Sequence, residues 1–96
     1  MNMINIAING FFGKMGQAIL LESQNLNSCA ITIGIDKEEL IESNSVDNVQ
    51  LTSDISEHVD NFDVVIDFSL PNSSLEVAKI CVAHNRPLVI GTTGLP

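Results

Sequence analysis

Basic residues are scarce in this sequence of 96 residues. Four lysines and arginines stand against twelve aspartates and glutamates, and the formal net charge is −8. Because phosphate backbones select basic surfaces, this balance argues against a nucleic-acid partner. No apolar stretch approaches the roughly 18 residues that a membrane span needs, and the amino terminus lacks the basic start and long apolar core of a signal peptide. We therefore expect a cytoplasmic protein with no nucleic-acid and no membrane partner.

Cysteine and histidine are also rare, with two residues of each. Cys29 and Cys81 form no Cys-x-x-Cys pair and have no histidine nearby at ligand spacing. We interpret both as small buried apolar side chains in a reducing compartment, and we expect no disulfide and no metal site. His58 and His84 fall in or at the end of predicted helices and are interpreted as surface residues.

Apolar residues make up 45% of the chain, which is ordinary for the packed core of one domain spanning residues 1–96. Predicted strands and helices alternate along it. The strands are expected near 4–8, 30–35, 49–51, 63–68 and 88–90, and the helices near 14–26, 54–59 and 74–84. The best-defined strands are continuous apolar runs, which favours a parallel sheet with helices on both faces. The sequence thus predicts an α/β domain of Rossmann-like type.

The ends of these predicted elements carry further signals. Residues 37–48 are polar and acidic and are expected to form a surface loop, in which a helical turn can occur. Ser73-x-x-Glu76 predicts a capping box that opens the last helix, and Asn85 is expected to close that helix in the left-handed conformation. Because Pro96 follows directly on a strand and its turn, we expect a sheet truncated after its fourth main strand.

The most informative motif is the glycine-punctuated turn of residues 10–16, GFFGKMG, which lies where a predicted strand passes into a helix. This is the context of a dinucleotide-binding fingerprint. Gly10 allows a tight turn, Gly13 can let the backbone approach a pyrophosphate, and Gly16 permits close helix-to-strand packing. The spacing is Gly-x-x-Gly-x-x-Gly, with Phe12 where the standard motif has its middle glycine. Glycines also occur at strand–helix turns that bind no nucleotide.

Asp36 strengthens the nucleotide interpretation. It lies 20 residues after Gly16, at the end of the second predicted strand, where an acid hydrogen-bonds the adenosine ribose. Lys14 and Lys37 supply positive charge at the two places where cofactor phosphates would lie, and Lys37 can pair with the 2′-phosphate of NADP. We therefore expect imperfect discrimination between NADH and NADPH. A solvated loop aspartate and solvated lysines are the alternatives.

Three stretches of the sequence, residues 7–16 (AINGFFGKMG), 63–71 (DVVIDFSLP) and 89–94 (VIGTTG), carry a family resemblance. Essentially the whole chain resembles the N-terminal domain of the 4-hydroxy-tetrahydrodipicolinate reductase (dihydrodipicolinate reductase) family of lysine and diaminopimelate biosynthesis. The first stretch is shared in part with many nucleotide-binding proteins. The second and third are more specific to this reductase family.

The resemblance implies a set of residues that contact NADH or NADPH. They are the pyrophosphate loop Gly10, Phe11, Phe12, Gly13, Lys14 and Met15, the ribose ligand Asp36 with its neighbour Lys37, the segment Phe68, Ser69 and Leu70, and the nicotinamide-proximal Gly91, Thr92 and Thr93. A simple polar turn is the alternative for the last three. The resemblance also implies hydride transfer to a small cyclic dicarboxylate and a homo-oligomer at full length.

No catalytic residue is assigned to this chain. In the family, the proton donor and the substrate-binding side chains belong to a second domain, and nothing in this chain matches that segment. We therefore expect the chain alone to be catalytically incomplete.

Two other functions remain open at this point. A stand-alone nucleotide-sensing regulatory module would share the glycine turn and Asp36, but would have no reason to carry residues 67–71 or the Gly-Thr-Thr-Gly turn. A different reductase on the same scaffold, such as an amino-acid or semialdehyde dehydrogenase, is the remoter alternative.

Overall fold

Strands and helices alternate through the computed structural model, which describes residues 3–69 and 71–91 except for the Pro71 side chain. The strands are β1 (Ile4–Asn9), β2 (Cys29–Ile35), β3 (Gln50–Thr52), β4 (Val64–Asp67) and β5 (Leu88–Ile90). The helices are α1 (Lys14–Ser23), α2 (Glu38–Ser43), a 3₁₀ segment (Ile55–Asn61) and α3 (Pro71–Ala83).

The five strands form one parallel sheet in the order β3-β2-β1-β4-β5. The chain runs outward from β1 in one direction to β2 and β3, and then in the other direction to β4 and β5. The point between β1 and β4 is therefore a topological switch point, where ligands bind outside the carboxyl ends of the strands. Asn9 at the end of β1 is in register with Ile35 on β2 and Asp67 on β4. The order and the parallel pairing confirm the predicted Rossmann-like fold.

Helices cover both faces of the sheet, as predicted. On one face, α3 and the 3₁₀ segment pack on the strands through a buried cluster of Ala7, Ile33, Ile35, Ile55, Phe62, Val65, Val77 and Cys81. On the other face, α1 contributes Ile19 and Leu20 to a cluster around Ile8, Phe11 and Ile31. Continuous apolar runs suit strands of this kind because both of their faces are buried.

A bulge in β2 decides which of its residues face each helix layer. Ile6 pairs with Ile31 but Ala7 pairs with Ile33, so Thr32 is an extra residue without a partner on β1. Ile31 consequently faces the α1 layer, whereas Ile33 packs in the cluster under α3. The Thr32 hydroxyl donates a hydrogen bond of 2.8 Å to the carbonyl of Asn61. The bulge thus reverses the alternation of the strand half-way along it.

Several boundaries differ from the sequence prediction. The predicted loop of residues 37–48 contains a six-residue helix, α2, and α1 ends at Ser23 instead of extending to residue 26. The predicted capping box is wrong, because α3 begins at Pro71 and Ser73 lies inside its first turn. Proline suits this first position because its missing N–H would have no intrahelical partner there.

The end of α3 matches the prediction. Asn85 has a φ of 57°, in the left-handed region. The Arg86 amide donates to the Cys81 carbonyl at 2.8 Å, and the Asn85 amide donates to the Val82 carbonyl. This pair of hydrogen bonds satisfies the last carbonyls of the helix.

Cys29 and Cys81 are both free thiols. Cys81 is buried as expected, whereas Cys29 is only half-buried, so the prediction of burial is wrong for Cys29. Within residues 3–69 and 71–91, no helix combines the length and hydropathy needed to cross a bilayer. The same described ranges contain no group of three metal-ligating side chains.

Candidate functional site

A groove of about 470 Å³ opens at the carboxyl ends of β1 and β2, beside the turn that follows β4. It is lined by Asn9, Gly10, Ile35, Asp36, Lys37, Ser53, Ser69 and Ser73. A larger groove of about 580 Å³ lies near the amino ends of β1 and β3 and includes Asn5 and Gln50 in its lining. Because ligands of open α/β sheets bind at the carboxyl ends of the strands, the smaller groove is the candidate site.

Gly10 brings the turn after β1 into contact with the turn after β4. Its φ of +82° is a conformation that side chains rarely adopt, and a Cβ added there would lie 3.0 Å from the Phe68 carbonyl oxygen. Any other residue at position 10 would both strain the backbone and separate the two turns. This agrees with the tight turn that the sequence predicts.

Gly16 allows α1 to lie directly against the same turn. It is buried, and an added Cβ would lie 2.5 Å from the carbonyl oxygen of Phe11 and 2.7 Å from that of Gly10. The close packing predicted at Gly16 is therefore present, but it is made against backbone atoms of the turn and not against a strand, as the sequence predicted.

The two phenylalanines of the motif do not cover the groove. The Phe11 ring is fully buried and packs over Gly34 of β2, on the sheet face below the turn. The Phe12 ring is half-buried and packs edge-on against Phe11, with 5.0 Å between the ring centroids. The Phe11 amide donates to the Ile35 carbonyl and its carbonyl accepts from the Gln17 side chain, so its backbone groups are paired within the protein.

Asp36 points toward the glycine turn. Its Oδ2 accepts a hydrogen bond of 2.8 Å from the Phe12 amide, and its Oδ1 accepts one of 2.9 Å from the Lys37 amide. The side chain is half-buried at the edge of the groove. Since each carboxylate oxygen has capacity for a second donor, Asp36 can still accept from a ligand while the two amides orient it.

The remaining backbone donors of the motif lie at the start of α1. The Gly10 amide donates to the Ile35 carbonyl, and the Gly13 amide donates to the Gly10 carbonyl. The first-turn amides of α1, at residues 14–16, have no partner within the helix, and Gly13 as the N-cap has no side chain to accept from them. An anion at this helix start would therefore meet free N–H groups and the positive end of the helix dipole.

A buried hydrogen-bond network joins β1 to the turn after β4. The Asn9 side-chain amide donates to Ser69 Oγ at 3.0 Å and to Ser73 Oγ at 3.1 Å. Asp67 Oδ1 accepts from the Ser69 hydroxyl at 2.6 Å and from the Ser69 amide at 2.8 Å. Burial, together with the Asp67 carboxylate, raises the pKa of the Cys81 thiol behind this network. Both serines also line the groove, so the network forms one of its walls.

Some of the residues implied by the resemblance line the candidate groove, and others lie elsewhere on the protein. Gly10, Asp36, Lys37 and Ser69 line one groove. The Phe68 ring packs against Gly91, and Met15 lines a separate apolar groove beside α1. Leu70, Thr92 and Thr93 lie outside the described residues.

Sequence reasoning missed three polar residues of the groove, namely Asn9, Ser53 and Ser73. Asn9 is the last residue of β1 and Ser53 directly follows β3, so the rule that ligands bind at the carboxyl ends of strands would have identified both. For Ser73, the capping-box pattern pointed to a different role.

The fold and the groove define an α/β protein of Rossmann-like type. The family model for the N-terminus of dihydrodipicolinate reductase matches residues 4–96 of the chain. The 4-hydroxy-tetrahydrodipicolinate reductase of Saccharophagus degradans is 35% identical over 93% of this chain. That of Pelagibacter ubique is 33% identical over 98% of it. The dipicolinate-bound dihydrodipicolinate reductase from Paenisporosarcina sp. TG-14 superposes on 98% of the chain with a TM-score of 0.82 and 29% identity.

The chain therefore belongs to the dihydrodipicolinate reductase family and corresponds to its N-terminal domain, which is a nicotinamide dinucleotide-binding domain. It spans 37% of the Saccharophagus protein, 36% of the Pelagibacter protein and 39% of the solved Paenisporosarcina chain.

Proposed function

We propose that this chain binds NADH or NADPH for a 4-hydroxy-tetrahydrodipicolinate reductase, which transfers the hydride to a cyclic dicarboxylate in lysine and diaminopimelate biosynthesis. In this proposal residues 1–96 act as the dinucleotide-binding domain. The proton donor and the residues that bind the dicarboxylate belong to another part of the reductase.

The main support for this function is the orientation of the Asp36 side chain. Its carboxylate accepts from the Phe12 amide at 2.8 Å, which holds the acid at the end of β2 beside the turn that precedes α1. A dinucleotide in the groove would then have its diphosphate at the free amides of α1 and its adenosine ribose at Asp36. The resemblance adds Gly13, Lys14 and Met15 at the diphosphate, Phe68, Ser69 and Leu70 along the path of the cofactor, and Gly91, Thr92 and Thr93 at its nicotinamide end.

Both cofactors are expected to bind. The negative charge of Asp36 suits the paired hydroxyls of the NADH ribose and repels a 2′-phosphate. Lys37 is exposed beside it and can offset that repulsion through an ion pair with the phosphate. We therefore expect NADH to bind more tightly than NADPH, with limited discrimination between them.

We also propose a cytoplasmic location and a homo-oligomeric assembly for the full-length reductase. A biosynthetic reductase works where reduced cofactor is made, and two free thiols suit a reducing compartment, so we place the protein in the cytoplasm. We expect the full-length reductase to be a homo-oligomer. No nucleic-acid or membrane partner is expected for a chain with a net charge of −8.

The test is a calorimetric titration of NADH and NADPH into the chain and into Asp36→Ala. The substitution removes the ribose acceptor, and we expect NADH affinity to fall by roughly 1–3 kcal/mol, since a hydrogen bond to a charged group is lost. Lys37→Ala should weaken NADPH more than NADH, because only NADPH carries the 2′-phosphate.

Asp63→Ala is the matched control. Asp63 Oδ2 also accepts a hydrogen bond across strands, from the Asn5 amide at 2.7 Å, but at the opposite end of β1. The Asp63→Ala substitution should leave the NADH affinity unchanged. Equal losses of NADH affinity in both aspartate variants, or an unchanged affinity in Asp36→Ala, would contradict the assignment of Asp36 to the cofactor site.

A further inference from the structure

The hydrogens of the buried network beside the groove can be assigned from its one carboxylate. The Asp67 carboxylate only accepts, so in the 2.6 Å contact with Ser69 Oγ the serine hydroxyl must be the donor. Ser74 Oγ lies farther from Ser69 Oγ, at 3.3 Å, and is therefore the weaker competitor for that hydrogen. With its hydrogen directed to Asp67, the Ser69 oxygen can only accept from its other neighbours.

This assignment fixes the orientation of the Asn9 side chain. Because Ser69 Oγ accepts from it, Asn9 must present its NH₂ group toward the serines, and the second hydrogen of that group reaches Ser73 Oγ at 3.1 Å. Asn9 is only 2% exposed, so water does not compete for these two bonds. Ser73 Oγ is therefore an acceptor toward Asn9. Among the described residues the Ser73 hydroxyl makes this one hydrogen bond, so its own hydrogen is not used there, and Ser73 lines the groove.

We propose that Asn9 is a positioning residue that presents the Ser73 hydroxyl as a hydrogen-bond donor to an oxygen of the bound dinucleotide. A relay of hydrogen bonds connects Asp67 to Ser69, Ser69 to Asn9 and Asn9 to Ser73. Because of this relay, the wall of the groove that α3 forms presents a donor and favours an acceptor oxygen of the ligand. The proposal rests on the proposed function, because it takes the ligand of this groove to be NADH or NADPH. It adds a contact from α3 to those expected from the glycine turn and Asp36.

The experiment is a double-mutant cycle on NADH binding, measured by calorimetry with the 96-residue chain. Ser73→Ala removes the donor, and we expect the dissociation constant to rise about three- to tenfold, the usual effect of one hydrogen bond. Asn9→Ala should raise it by a similar factor, because the serine loses its orientation. If Asn9 acts through Ser73, the double variant should bind no more weakly than the weaker single variant.

Two further variants separate positioning from folding. Ser73→Thr keeps the hydroxyl and should retain most of the affinity, which keeps the test decisive even where Asn9→Ala does not fold. Ser23→Ala is the matched control, because Ser23 donates to the Leu20 carbonyl at 2.7 Å within α1 and does not line the groove. It should leave NADH binding unchanged.

The possible failures are distinguishable. NADH binding by the unaltered chain together with unchanged affinity in Ser73→Ala would overturn the inference and leave the proposed function standing. If the losses of NADH-binding free energy in the two single variants add up in the double variant, Asn9 does not act through Ser73 and the relay is overturned. Absence of any NADH or NADPH binding by the unaltered chain would overturn the proposed function and this inference with it.

Discussion

Replacing Gly16 by alanine should destabilise the protein, although alanine is the better helix former. In an ordinary helix the exchange gains about 1 kcal/mol. Here the new Cβ would lie 2.5 Å from the Phe11 carbonyl oxygen, which is well short of ordinary contact at 3.4 Å or more. Relieving the overlap requires a shift of backbone, which typically costs about 1–3 kcal/mol. Because the carbonyl oxygens of both Gly10 and Phe11 are involved, we take the upper end of this cost. After the helix-propensity gain is subtracted, we expect a net loss of stability of about 2 kcal/mol.

Urea unfolding followed by circular dichroism measures this loss, and thermal unfolding should give a midpoint about 8–16 °C lower for a domain of this size. Gly13→Ala is the comparison, because its Cβ would lie 3.3 Å from the nearest atom, the Gly10 carbonyl oxygen. As the N-cap of α1 it should lose no more than about 1 kcal/mol. A Gly16→Ala protein as stable as the unaltered chain would refute the close approach of α1 to the turn, and with it the geometry on which the cofactor site depends.

Two further predictions concern ionisable groups outside the groove. Cys81 is buried and has a raised thiol pKa, so it should react with a disulfide reagent far more slowly than the half-buried Cys29; a fast reaction that persists in Cys29→Ser would contradict this. Hydrogen bonds from the Ser56 side chain and amide hold the pKa of Asp54 below its usual value of 3.8. Its contribution to stability should therefore be complete above about pH 4 and be lost as the pH falls through the lower folded-state pKa. Urea titrations at several pH values should show a larger loss of stability at low pH in the unaltered chain than in Asp54→Ala.

Much of the fold could be predicted because its signals are local. The buried runs in β1, β2 and β4 lie between polar or glycine-containing turns, and only a sheet covered on both faces accommodates such runs. The start of α3 was less predictable. A serine three residues before a glutamate is a capping signal in general, but Pro71 opens the helix earlier and places Ser73 in contact with Asn9.

The candidate site was predictable to the extent that its residues belong to a motif. Gly10 and Asp36 follow from the strand–turn–helix pattern and from the end of the next strand. No motif assigned Asn9 or Ser73 to the groove, and the hydrogen bonds that Asn9 makes to Ser69 and Ser73 span 60 and 64 positions of the chain. Contacts across such separations depend on strand order, which no local pattern specifies.

The amino-acid sequence by itself determined the class of fold, the strand-to-helix turn that begins α1 and the acid at the end of β2, because periodicity, glycine placement and spacing are properties of neighbouring residues. Only the tertiary structure decided which face each half of β2 presents, since the extra residue at Thr32 reverses the alternation. It also decided that Asp36 turns to the Phe12 amide and that Asn9 joins the turn after β4. These orientations and contacts depend on parallel pairing between segments that are distant in the sequence. They are therefore defined only when the sheet has formed.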